Sequence, residues 1–154
     1  MAAQTGRSVS RWVKVYLDDS AGTLRLLSGI TGINGVGLNS EAVDVTALTD
    51  AIKNALPNTP DCKIQLTGKL DNTASVGTHI VLSGVNGLSV PLSFDAQFGM
   101  QHAWESGEPQ FGITSSGTSG MLVTSYVVDQ DLNFTADLCV MGGTAPAWGT
   151  AAET

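Results

Sequence analysis

The residues able to do chemistry are few and scattered. Two histidines, His79 and His102, and two cysteines, Cys62 and Cys139, make up the whole stock of imidazoles and thiols. They form neither a His-x-x-x-His nor a Cys-x-x-Cys spacing, the arrangements that bring two ligands to one zinc ion. A serine nucleophile needs a base and an orienting acid, and no Gly-x-Ser-x-Gly elbow occurs. Asp18 with Asp19, and Glu105 with Glu108, are close enough in sequence for paired acid–base work. The first pair opens the run DDSAG and the second flanks Gly107 and Pro109, so both read as solvated turns. Asp129-x-Asp131 starts like a calcium loop but lacks its glycine and distal glutamate. Residues 29–38, GITGINGVGL, hold glycines in the wrong order for a dinucleotide fingerprint, with no helix after them to receive a pyrophosphate. That stretch reads as a bulged strand entrance. The chain is expected to be neither an enzyme nor a carrier of a cofactor or metal.

The scaffold that carries these residues is read from composition and period. The 154 residues suffice for one domain with one core, and 18 glycines with 14% charged residues point to a turn-rich β domain. The formal charge of −7 argues against a phosphate-gripping surface, which needs clustered Lys and Arg. It leaves room for contact with DNA in which repulsion is the purpose. No run approaches the roughly 20 apolar residues of a membrane span. Residues 1–10 are polar and lack the apolar core of a signal peptide, so synthesis in a cytoplasm is expected. Cys62 should point inward beside Ile64 and Leu66, and Cys139 to the polar side beside Asp137 and Thr135, so no disulfide is expected between them.

Period-two alternation is the strongest signal. In residues 89–98 the apolar set is Val90, Leu92, Phe94, Ala96 and Phe98. In 62–70 it is Cys62, Ile64, Leu66 and Gly68, and in 132–141 it is Leu132, Phe134, Ala136, Leu138 and Val140. Each predicts a strand with one wet and one dry face. Residues 12–17 alternate in the same way. Residues 121–128 are apolar on both sides, as in a central strand or one whose face meets a partner. Helix signal is thin: Thr78–Val85 is the best candidate, with Thr78 as its cap and Asn86-Gly87 as its stop, and 50–56 offers a further turn ended by Pro57. The expected fold is mainly β: a β-sandwich or small barrel with one short flanking α-helix and a long inter-strand loop.

That loop lies in residues 40–70, SEAVDVTALTDAIKNALPNTPDCKIQLTGKL. A strand-like Val-Asp-Val-Thr, from Val43, is followed by a polar loop and then by an Ile-x-Leu-x-Gly strand from Ile64 to Gly68. With the N-terminal strand and acidic turn of 12–22, Asp71 and the short helix Thr78–Val85, the Val-Thr-Ser-Tyr strand of 123–126, and Asn133-Phe134-Thr135-Ala136-Asp137-Leu138 leading to Gly142 and an Ala147-Trp148 tail, this order resembles the major tail tube proteins of long-tailed bacteriophages. The resemblance covers most of residues 12–148 and implies a minimal subunit with no accessory immunoglobulin-like domain.

The resemblance implies a structural virion protein of the tail, made in the host cytoplasm. Subunits would form hexameric rings, stacked into a tube whose inner wall is one continuous β-barrel, through which DNA passes without specific binding. The partners would be further copies of itself, the tape measure protein, and the tail terminator and tail tip proteins, with no membrane. The 46–60 loop would reach the adjacent ring. Leu48, Ile52 and Leu56, spaced by four and followed by Pro57, would share one side of a helical turn, facing either the neighbour or their own core. The polar strand faces would line the lumen, with Glu41, Asp44, Asp95, Gln97, Thr135 and Asp137 as candidates; Lys63 and Lys69 run counter to an acidic lining. The whole of 1–154 would be one domain, with an N-terminal arm (1–10) and a C-terminal tail (143–154) that order at interfaces. Residues 127–128 and 13–17 are plausible free edges for pairing with another chain. A capsid decoration or head–tail joining protein is an alternative. So is a carbohydrate-binding sandwich using Trp12, Tyr16 and Trp104.

Overall fold

A computed structural model describes residues 2–153, so Met1 and Thr154, the ends of the expected arm and tail, lie outside the described residues. Among the described residues eleven strands and one α-helix follow one another. They are β1 (Val13–Asp18), β2 (Leu24–Leu26), β3 (Ile30–Asn34), β4 (Ala42–Asp44), β5 (Ala55–Pro57), β6 (Lys63–Lys69), α1 (Thr78–Val85), β7 (Phe94–Phe98), β8 (Gln110–Ile113), β9 (Gly120–Val128), β10 (Asn133–Met141) and β11 (Ala147–Gly149). One sheet has the order β11-β8-β7-β1-β2, the other β3-β6-β10-β9, and β4 and β5 form a separate hairpin. All the strand pairings are antiparallel.

The alternation seen in the sequence supplies the core. Val15, Leu17, Phe94, Ala96 and Phe111 come from the first sheet, and Ile64, Leu66, Phe134, Ala136 and Leu138 from the second; all are buried in one cluster. The mainly β sandwich with one short helix is therefore what the chain builds. α1 adds Val81, Leu82 and Val85 to that cluster. Its bounds agree with the expectation, but its cap does not. Gly77 stands at the N-cap with no side-chain hydrogen bond, because the Thr78 hydroxyl, fully buried, donates to the Ser28 carbonyl instead. Cys62 is buried, Cys139 is half-buried, and both are free thiols.

Sheet edges decide what other chains can touch. β3 and β9 are the two outer strands of the second sheet, so the expectation that 127–128 is an edge holds, and Val127 is exposed. β1 is not an edge: it lies between β7 and β2, because the first sheet gains β2 from a run too short to show a period. The expected bulge near residue 30 exists as a register shift between Ile30 and Gly32.

Candidate assembly surfaces

From Leu38 to Asp61 every residue is exposed, a run of 24 that touches no core. The segment is an arm, not a loop draped on its own sandwich. β4 and β5 pair Ala42 with Pro57, Val43 with Leu56 and Asp44 with Ala55. At its root, Asn39 and Asp61 exchange backbone hydrogen bonds of 2.8 and 2.7 Å. Near its tip, Asp44 Oδ1 accepts from the Thr46 N–H at 2.9 Å and its hydroxyl at 2.6 Å, and the Thr46 hydroxyl oxygen accepts the Asn54 N–H at 2.8 Å. Those Thr46 bonds hold the Asp44 carboxyl below its ordinary value. The tip is closed by Asp50, whose carboxylate accepts the Ala47 N–H at 2.8 Å.

The expected helical turn is absent, because Ala55, Leu56 and Pro57 are a strand. Pro57 fits there because a two-stranded hairpin leaves an outer side where no N–H is needed. Leu48, Ile52 and Leu56 do not cap their own core. Their relative exposures are 107%, 77% and 59%. A two-stranded ribbon carrying bare leucine and isoleucine is marginal in water without a partner.

Described residues of both end segments make hydrogen bonds within the chain. The N-terminal segment is docked on the 99–108 loop. The Gln4 N–H donates to Glu108 Oε2 at 2.8 Å, the Ser8 hydroxyl to the Gly99 carbonyl at 2.6 Å, and the Gln101 side-chain amide to the Arg7 carbonyl at 2.9 Å. Glu108 is the hub, and it is fully buried where a solvated turn was expected. It also accepts N–H groups from Glu105 at 3.0 Å and Met100 at 3.4 Å, and lies 2.9 Å from His102 Nε2. Burial pushes its carboxyl up, but these N–H donors and His102 outweigh burial and leave it below its ordinary value. Asp18 also departs from the solvated-turn reading. It is buried at the end of β1, accepts the Ser93 N–H at 2.9 Å, and is pushed up by burial. Asp19 keeps the expected turn role, accepting the Ala21 and Thr23 N–H groups and pairing with Arg25.

At the other end, β11 adds to β8, and the Trp148 ring packs 5.1 Å from Phe111 and 5.6 Å from Phe98. Beyond it Glu153 crosses the outer face of the first sheet. That explains the main departure among the candidate lumen residues. Asp95 belongs to the polar set of its strand but is fully buried, so it cannot line an open surface, and Gln97 beside it is half-buried and donates to it at 2.9 Å. Thr135 and Asp137 are half-buried on β10, opposite Thr67 and Gln65 of β6. Lys63 and Lys69 share that face, one opposite Cys139 and one opposite Asn133, and Lys69 donates to the Asn133 side chain. The face is of mixed charge, not acidic. Glu41 and Asp44 lie elsewhere, on the arm.

The aromatic residues considered for sugar binding are engaged within the chain in two of three cases. Arg11 stacks 4.5 Å above Trp12, and the Trp104 indole N–H points at the Glu108 and Pro109 carbonyls, both at 3.1 Å. Among the described residues no three His, Cys, Asp or Glu side chains converge to hold a metal, and no helix is long and apolar enough to cross a membrane.

No family model matches the chain, and no curated protein matches it significantly. Solved structures do. A chain in the tail of an empty gene transfer agent particle, refined helically with C6 symmetry, aligns with a TM-score of 0.58 at 17% identity, over 93% of this chain and 99% of that one. A chain in the virion of a native gene transfer agent aligns at 0.56 and 16% identity, with the same coverage. A chain in the six-fold symmetrised baseplate of the anti-feeding prophage aligns at 0.59 and 10% identity, over 94% and 97%. Over nearly its whole length, this protein has the fold of the chains in those tail and baseplate structures.

Proposed function

We propose that the chain is a structural subunit of a phage-type tail tube, assembling as hexameric rings that stack into a conduit for DNA. The observation that carries this reading is the arm of residues 38–61. Among the described residues its apolar tip stays exposed, and the shared fold comes from six-fold tail and baseplate assemblies. The free edges β3 and β9 at opposite sides of one sheet fit a ring in which each copy pairs with the next. In this reading the sheet face bearing Thr135 and Asp137 lines the lumen, with Lys63 and Lys69 on the same wall. A face of interspersed sign, with few cations in a chain of net −7, gives passing DNA no continuous basic track. Glu41 and Asp44 belong to the inter-ring contact, and Asp95 and Gln97 to the packing of the C-terminal segment. Tape measure, terminator and tip proteins are the expected partners inside and at the ends of the tube. The subunit itself performs no catalysis.

Negative-stain electron microscopy of the purified protein across concentration and salt tests this. Stacked rings or hollow tubes are expected. A monodisperse monomer or trimer at high concentration, unchanged by adding a tail-tip initiator, favours a decoration or joining role.

A further inference from the structure

The arm carries acid as well as leucine. Between residues 41 and 61 stand four carboxylates, Glu41, Asp44, Asp50 and Asp61, against one cation, Lys53, a net −3. Opposite in sign are the first 17 residues, which hold Arg7, Arg11 and Lys14 and no carboxylate. All three are exposed, and none is paired with a carboxylate among the described residues.

The grooves of the surface differ in what they would do to such an arm. The one beside the 18–22 turn presents Asp18 and Asp19. The one beside β2 presents Asp71, and its Arg25 is already paired with Asp19. A third lies at the arm's own root. The sheet face between β6 and β10 has Asp137 in its floor. Another groove, of about 460 Å³, runs between Ser10, Arg11 and Val13 on one wall and Ile30, Thr31 and Ile33 of β3 on the other. It contains no carboxylate and one unpaired cation, and Arg11 is held in place by its stacking on Trp12. β2 is in register with β1 from Tyr16 onward, with a last hydrogen bond from the Leu27 N–H to the Val15 carbonyl, so the pairing does not reach Val13 and the gap stays open there.

We propose that this groove is the receptor for the arm of a second copy. Leucine and isoleucine from the arm tip cover Ile30, Ile33 and Val13, while Arg11 faces the arm's carboxylates. The inference rests on the tube reading and specifies its inter-subunit contact. Apolar burial supplies the affinity, and the opposed charges select this groove over the acidic ones.

The test is disulfide trapping between two separately made variants, in a Cys139→Ser background so that the half-buried thiol does not interfere. One carries Leu48→Cys in the arm, the other Thr31→Cys in the groove, and both sites are exposed. A second groove probe, Ser10→Cys, guards against disturbance of β3, and Thr124→Cys on the polar sheet face is the control. A covalent dimer is expected only on mixing the arm variant with either groove variant, and not with the control. Arg11→Glu should raise the protein concentration needed for tubes by about tenfold, with an unchanged thermal midpoint. Tubes in the microscope without the cross-link, or with equal trapping at Thr124→Cys, overturn the docking site and leave the tube reading standing. No cross-link together with no rings or tubes overturns both.

Discussion

The Glu153 backbone N–H points at the Asp95 carboxylate, 3.4 Å from Oδ2, from above the outer face of β7. The Glu153 side chain then fans out, accepting from Gln110 Nε2 at 3.2 Å and from the Thr114 hydroxyl at 2.6 Å. This clasp places two carboxyl groups together under the C-terminal segment.

The clasp predicts a pH dependence. Burial, helped by the charge of Glu153, pushes the Asp95 carboxyl above its ordinary value, while Gln110, Gln97 and the Glu153 N–H offset part of the rise. On β1, packed against Asp95, the ionisable neighbours are Tyr16, directly opposite, and Lys14, opposite Gln97. With the folded pKa above the unfolded one, the native state holds the proton more tightly. The contribution of Asp95 to stability is therefore greatest below the ordinary value and falls as pH rises through the raised one. Asp95→Asn should melt a few degrees above the wild type at neutral pH. The difference should narrow as pH drops towards 3.8, the ordinary value. Paired thermal melts across pH check this, and a gap independent of pH would count against it.

Glu108 works in the opposite sense. Its carboxyl lies below its ordinary value, so its stabilising effect is present at neutral pH and is lost as pH falls through the depressed value. Glu108→Ala should release residues 2–10 without unfolding the sandwich. Trypsin cleavage after Arg7 and Arg11 should accelerate by about an order of magnitude. Unchanged cleavage would mean that Ser8 and Gln101 suffice to hold the segment.

Backbone proximity at Gly68 predicts intolerance to a single methyl group. A Cβ there would collide with the Gly29 carbonyl, and would lie 2.9 Å from the Phe134 ring and 3.0 Å from Ile30 Cα. Backbone cannot swing aside as a side chain can. Gly68→Ala should cost about 1–3 kcal/mol. For scale, Phe134→Ala, which empties a fully buried site, should cost about 3–5 kcal/mol. Urea denaturation of both variants measures these values. A neutral Gly68→Ala would show that β3 can move away from β6.

Leu48→Ser combined with Ile52→Ser should change stability by no more than about 0.5 kcal/mol, because neither side chain is buried. The same double variant should fail to form tubes. Separation of the two readouts by calorimetry and microscopy is the point: loss of both would place these residues in the fold, loss of neither would remove them from assembly.

How far the fold is legible in the residues varies with the length of each element. β6 and β10 alternate over seven and nine residues, and their registers follow from that period. β4, β5 and β11 have three residues each, too few to show a period, and their pairing is set by each other and by β8. Leu48, Ile52 and Leu56 could be singled out, but their spacing of four suggested a helix where the Asp44–Thr46–Asn54 hydrogen bonds make a ribbon. Asp95 misled for another reason. Alternation says which face a side chain takes, not whether a distant segment such as Glu153 will cover that face. Glu108 gave no local sign, since its donors come from Gln4, Met100 and Glu105, and only folding brings the first of them to it.

The sheet β3-β6-β10-β9 ends in two unlike strands, a short one of five residues and a longer one of nine, with a register shift beside each. Copies joined β3 to β9 all face the same way. A ring made so has distinct upper and lower rims, and all its arms leave from the same rim. Stacking such rings yields an object with a head and a foot, and growth from one end differs from growth from the other. Direction in the assembled tube would then be inherited from the inequality of two strands in a single subunit.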